Sequence, residues 1–236
     1  MPRPESIENR WDILYRDYPE VYEAFSNTTY HPPVIEHLPE FIDLQGKLIA
    51  DVGAGTGKSS FALSRFAGQV IGVEREVAML RLAAAAQQEK ARTEGTERVI
   101  FLCGDALALP LADDSVDLVT GITLALYPPE RYRDFIREGL RVARGAVVYL
   151  GISPGWYGGD LYDVIEDVEK VDDTVDRIFL EEFHFAYQDI FSDQEYGTVE
   201  HIVNTYGFIF GKKAIEYLKR EKKTTIRWKF RLYWRE

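Results

Sequence analysis

The stretch that most constrains this chain is KLIADVGAGTGKSSFALS, residues 47 to 64. A short apolar run, Leu48-Ile49-Ala50, ends in Asp51-Val52. Glycines follow at alternate positions, Gly53, Gly55 and Gly57, and a helical pattern opens with Phe61, Ala62 and Leu63. That order reads as buried strand, tight turn and helix. Glycine suits the turn because the backbone needs positive φ there and a ligand must approach without meeting a Cβ. The helix start adds unpaired N–H groups that favour an electron-rich partner. Spacing then separates the ligand classes. A P-loop requires a glycine five residues before Gly57, and Val52 stands there. A dinucleotide fingerprint requires its third glycine one residue later, where the chain has Lys58.

The next elements repeat the pattern. Gln69 to Glu74 (QVIGVE) is an apolar strand ending in an acid, followed by Arg75, with Glu74 lying 21 residues after Gly53. Parallel pairing brings that carboxylate beside the glycine turn, where it can accept hydrogen bonds from both ribose hydroxyls of an adenosine ligand. Val99 to Cys103 is a third strand leading into Gly104-Asp105-Ala106. Asp113 to Thr120 leads into a fourth, whose carboxyl end at Gly121-Ile122-Thr123-Leu124 opens on the crevice where parallel sheets bind ligands.

These residues resemble the class I S-adenosylmethionine (SAM)-dependent methyltransferases, and within them the broad type 11 group of small-molecule enzymes. Asp51-Val52-Gly53-Ala54-Gly55-Thr56-Gly57 is similar almost letter for letter to the first family motif. Asp113-Asp114-Ser115-Val116-Asp117 resembles the family's lead into strand four, with Val116 replacing Phe. The resemblance is specific from about residue 44 to 151 and architectural beyond it. It implies that Asp51, Gly53, Ala54, Gly55 and Gly57 hold the methionine end, and that Glu74 and Arg75 flank the ribose. Met79 would lie against the adenine, Asp105 and Ala106 would contact its edge, and Gly121 with Ile122 would close the site. Tyr127-Pro128-Pro129-Glu130 departs from the [DNS]PP[FYW] motif of amino-methyltransferases acting on bases. It reads instead as a turn into a helix.

The expected fold is α/β: a Rossmann-like three-layer sandwich with a mostly parallel seven-stranded sheet, in the order 3-2-1-4-5-7-6 that the family uses. At 236 residues one domain is expected. It would comprise an N-terminal helical cap (1–43), a SAM-binding core (44–151), a lid or substrate insertion (152–180) and C-terminal strands and helices (181–236). Trp11, Tyr15, Tyr18, Tyr22 and Phe25 are spaced 4, 3, 4 and 3 along one helical face, which Pro19 interrupts. In the resembled family such helices lie over the cofactor, which makes Tyr22, Phe25 and Tyr30 candidate walls of the substrate pocket. The glycine-rich loop 153–159 adds Trp156 and Tyr157 as candidates, on a segment able to act as a lid. Glu182 to Phe191 reads as a bent strand. Thr224 to Trp234 alternates cleanly, as a half-buried antiparallel strand does.

Charge bounds the partners. The formal net charge is −11, which argues against general nucleic-acid binding. Ten Lys/Arg face three acids from Lys212 to Glu236, and ten acids face Lys170 and Arg177 from Asp160 to Glu182. Two complementary faces of one fold explain this simply; a basic end meeting an anionic partner is the sharper alternative. One cysteine, Cys103, excludes an internal disulfide, and no metal site is expected. No apolar run is long enough for a membrane span, and MPRPESIENRW lacks a signal-peptide core, so a cytoplasmic monomer or homodimer is expected.

The expected function is methyl transfer from SAM, leaving S-adenosylhomocysteine, to an O, N or C atom of a small molecule. The transfer is an in-line displacement that needs no covalent enzyme intermediate. An acidic acceptor would need a base, for which His184 and His31 are the candidates. Three alternatives stay open: a dinucleotide-dependent oxidoreductase, an RNA methyltransferase, and a non-catalytic SAM-binding protein.

Overall fold

The computed structural model describes residues 10–28, 34–94, 98–165 and 173–236. Seven strands form one sheet in the order β3-β2-β1-β4-β5-β7-β6, as expected. They are β1 (Leu48–Val52), β2 (Gln69–Glu74), β3 (Val99–Cys103), β4 (Val116–Ile122), β5 (Ala143–Ile152), β6 (Ala186–Glu195) and β7 (Thr225–Arg235). The first five run parallel, and β7 is antiparallel to both β5 and β6.

The strands of the middle are apolar throughout because both their faces are covered. Ile49, Val70, Leu118 and Val148 point to one layer, where α3 (Lys58–Leu63) and α4 (Val77–Glu94) contribute Leu63 and Met79. Ala50, Val119, Val147 and Tyr149 point to the other, against Tyr132, Phe135, Ile136 and Val142 of α5 (Tyr132–Val142). The N-terminal helices α1 (Arg10–Asp17) and α2 (Pro19–Thr28) break at Pro19, the proline expected to interrupt them.

β6 and β7 outrun the sheet. β5 pairs with β7 only as far as Ile152 opposite Phe230, while the β6–β7 ladder continues to Glu195 opposite Thr225. Five residues of β7, about 17 Å at strand rise, therefore project past the parallel strands. The helices that connect the two strands in sequence cover this arm: a stretch built of α6 (Val199–Ile202), a π-helical turn (Val203–Gly207) and Phe208–Phe210, then α7 (Lys212–Glu221). Trp228 and Phe230 are fully buried there, with Phe210 and Tyr206 against Trp228.

The edge strand differs from its sequence reading. Strand structure begins at Ala186, and Arg177–Glu182 is a π-helical turn. The inward side of β6 carries Ile190, Ser192 and Gln194, while the aromatic Tyr187 and Phe191 are each 51% exposed. Ser192 and Gln194 face in beside Ile190 while these aromatic residues face out, so the aromatic richness of the segment does not mark its buried face.

The two charge runs meet within the chain. Asp160 pairs with Lys223 at 2.8 Å, and Asp189 pairs with Arg231 at 2.6 Å and with Lys229 at 2.7 Å. Arg231 also bonds Asp176. An anionic partner is not needed to explain the basic end. Arg231 is 13% exposed in its side chain, so Arg231→Ala takes the guanidinium from Asp176 and leaves Asp189 with Lys229 alone, in a partly dry site. The expected loss of stability in urea unfolding is about 3 kcal/mol. A loss below about 1 kcal/mol would class the cluster with solvent-screened surface pairs. Among the described residues no helix is long and apolar enough to cross a membrane.

Candidate active site

The glycine turn after β1 is fastened to β2. Gly53 N–H and Ala54 N–H both donate to the Val73 carbonyl, at 2.8 and 3.1 Å. Gly53, Gly55 and Gly57 all have positive φ. At Gly53 a Cβ would also lie 2.6 Å from the Leu124 side chain, so the position is closed to any larger residue.

Glu74 ends β2 with its carboxylate between two turns. One oxygen accepts from Gly55 N–H at 2.9 Å, and the other accepts from Glu76 N–H at 2.8 Å. Burial raises its pKa above the ordinary 4.5, against the pull of those backbone donors. A carboxylate offers about four lone-pair sites, so acceptor capacity remains after both bonds are made.

One cavity joins these groups. Gly53, Gly55 and Glu74 line it on the β1–β2 side, with Arg75, Glu76 and Met79 from the start of α4. Gly104, Asp105 and Ala106 line it at the tip of β3; Asp105 accepts from Leu107 N–H at 2.9 Å, which shapes that turn. The opposite wall is Thr123 to Tyr127 with Arg131, after the tip of β4. Thr123 has φ of +53°, strained for a β-branched residue and of the kind found at functional sites.

Asp51, Ala54, Gly57, Gly121 and Ile122 lie behind that surface rather than on it. Asp51 is fully buried and accepts from Ser59 Oγ (2.6 Å), Ser60 Oγ (2.7 Å) and Thr120 Oγ1 (3.1 Å). It ties β1 to the first turn of α3 and to β4, holding the glycine turn from beneath. Gly121 and Ile122 are still within β4, paired with Tyr149 and Leu150. Of the four residues read as the strand's end, Thr123 and Leu124 reach the wall and Gly121 and Ile122 do not, because nothing in the apolar run marks where pairing ends.

Burial outweighs the three hydroxyl donors and raises the Asp51 pKa above 3.8, with the Glu74 charge adding to it. The folded state therefore favours the protonated acid. Its stabilisation is complete below 3.8 and is lost as pH rises through the folded value. The amide introduced by Asp51→Asn cannot titrate. Unfolding of wild type and this variant across the acidic range should show wild-type stability falling against the variant as pH rises. A difference independent of pH would refute this.

The candidate substrate and base residues sit elsewhere. Phe25 is fully buried with its ring against Phe210. Trp156 packs on Phe191, and Tyr157 packs on Phe210. These aromatic side chains knit the cap together instead of lining the cavity. His184 is exposed and precedes β6, whose first residue aligns through Trp234 with Val148 and Thr120. That register directs it toward the end of the sheet opposite the cavity, which takes it away from the place of the base it was expected to be. Tyr30 and His31, and the side chain of Tyr22, lie outside the described residues. Val73, Gly104 and the wall residues 125–127 escaped the sequence reading; the rule that ligands gather at strand ends pointed near them, without giving the register.

Residues 49–145 match a family model described as methyltransferase domain. Over 96 residues the chain is 35% identical to an uncharacterized methyltransferase of Bacillus subtilis, covering 41% of this chain and 36% of that one. Over 154 residues it is 30% identical to a demethylmenaquinone methyltransferase of Lactococcus lactis, covering 63% of this chain and 59% of that one. The chain thus spans less than two thirds of the length of these curated relatives. In fold it resembles a magnesium protoporphyrin IX methyltransferase of Synechocystis solved with bound SAM, at TM-score 0.55 and 14% identity, covering 95% and 89% of the two chains.

Proposed function

We propose that this chain, whose residues 49–145 match a methyltransferase domain model, binds SAM in the cavity at the strand tips and transfers its methyl group to a small molecule. The carrying observation is the Glu74 carboxylate. It lines the cavity with acceptor capacity left after bonding Gly55 and Glu76, as recognition of paired ribose hydroxyls requires. The residues at the other end of the cavity fit the same ligand: Asp105 as an acceptor, Ala106 beside it, and Met79 as an apolar surface for a flat base.

The bound cofactor supplies an electrophilic methyl on a sulfonium with a good leaving group. The protein's part is to bind, align and keep water out, bringing donor and acceptor to about 3 Å. Gly53 and Gly55 allow close backbone approach, and the wall 123–127 shapes the space opposite. Among the described residues no histidine lines this cavity. The net charge of −11 and the internal pairing of the basic end support a small molecule over RNA.

Calorimetric titration with S-adenosylhomocysteine, NADH and ATP tests the reading. Binding of the homocysteine compound alone is expected. NADH binding in its place would establish a dinucleotide site.

A further inference from the structure

We infer that the buried hydroxyl pair of Tyr132 and Tyr149 is a clamp that sets the β4-side wall of the cavity, making both tyrosines positioning residues for the ligand. The inference rests on the proposed SAM site. Tyr132, the first residue of α5, donates its hydroxyl proton to the Leu124 carbonyl at 2.7 Å. Its oxygen accepts from Leu126 N–H at 3.4 Å and lies 2.8 Å from the Tyr149 hydroxyl of β5. Tyr149 in turn reaches the Leu124 carbonyl at 3.3 Å. One proton arrangement satisfies the first three contacts, with Tyr149 donating to Tyr132 and Tyr132 donating to Leu124; the longer Tyr149–Leu124 approach becomes a hydrogen bond only when the Tyr149 proton turns from Tyr132 to the carbonyl. One hydroxyl thus grips the loop on both sides of Ala125, and Leu124, Ala125 and Leu126 are three consecutive cavity residues.

The clamp is rigid because its rings cannot turn. Phe179 stacks on Tyr149 at 4.9 Å and meets Tyr132 edge-on at 5.8 Å, and Phe135 closes the other side of Tyr149. Both tyrosines are about 5% exposed. The loop they hold needs fixing: it starts at Thr123 in a left-handed conformation, and Leu124 also fills the space that a Cβ at Gly53 would take. A shift of Leu124 therefore reaches the glycine turn directly.

The test compares Tyr132→Phe, Tyr149→Phe and the double variant with Tyr233→Phe. Tyr233 belongs to the same aromatic cluster, but its hydroxyl bonds Asp176 and not the loop. Each protein is titrated with S-adenosylhomocysteine, and exchange of the Leu126 amide hydrogen is followed without ligand. Either single variant leaves one hydroxyl able to reach Leu124, so the double variant should lose more than both singles together. We expect about tenfold weaker binding and about tenfold faster Leu126 exchange in the double variant, the effect of one buried hydrogen bond left unmade. Tyr233→Phe should change both by less than about twofold even if it melts earlier. Wild-type binding matched by the double variant, or a loss equalled by Tyr233→Phe, overturns the clamp. Failure of wild type itself to bind would count against the SAM reading, and unchanged Leu126 exchange would still overturn the clamp separately.

Discussion

Glu74→Ala is expected to abolish measurable binding of S-adenosylhomocysteine. The substitution removes the acceptors for Gly55 and Glu76 N–H, which join the glycine turn to the start of α4, and the acceptors proposed for the two ribose hydroxyls. Hydrogen bonds to a charged group contribute about 1.5–3 kcal/mol each, so losing two ligand bonds alone weakens affinity by about 10²- to 10⁴-fold. Calorimetry on the folded variant measures this. Loss under about tenfold would mean that Glu74 only braces the turn. The same residue predicts a pH dependence. Its pKa is raised above 4.5 by burial, and only the ionised form offers every lone pair. Affinity should be full above that raised value and should fall as pH drops through it. Affinity constant across this acidic range would argue against the role.

Trp228→Ala should have the largest effect on stability. Trp228 is fully buried on the arm of β7 that projects beyond β5, between Phe210, Tyr206 and Phe230. Truncating such a side chain costs about 3–5 kcal/mol. For a domain of this size that lowers the melting temperature by about 6–20 °C. The cap rests on this ring, while the glycine turn does not touch it. A variant that remains folded should therefore keep S-adenosylhomocysteine affinity within about threefold, because sites that share no contacts contribute independently. Thermal unfolding and the same titration read both effects. A shift below about 3 °C would show that the aromatic cluster repacks around the loss.

The sheet and the cavity residues at the tips of β1, β2 and β3 were legible in the sequence because their signals are local. An apolar run ending in Asp51-Val52, glycines at 53, 55 and 57, and an acid closing Gln69–Glu74 each report a backbone requirement within a few residues. Parallel pairing then places those tips side by side without further information. The strand order 3-2-1-4-5-7-6 came from resemblance, and the hydrogen-bond registers agree with it.

The cap was legible only as composition. Phe25, Trp156 and Tyr157 are aromatic residues near a binding site, and aromatic character suits a pocket wall and a core equally well. Phe210, which claims two of them, stands 53 residues or more along the chain, so no local pattern could decide between the two. The same holds for the faces of β6, where Ser192 and Gln194 are buried while Tyr187 and Phe191 are exposed. His184 was misplaced for lack of register: strand pairing, not residue type, fixes which end of the sheet a flanking residue reaches. The amino-acid sequence by itself determined the fold class, the glycine turn and the carboxylate at Glu74, since each follows from what a few adjacent residues permit. Tertiary structure alone decided the wall from Ala125 to Tyr127, the Tyr132–Tyr149 grip behind it and the closure of the aromatic cap, because those depend on contacts between segments that only folding brings together.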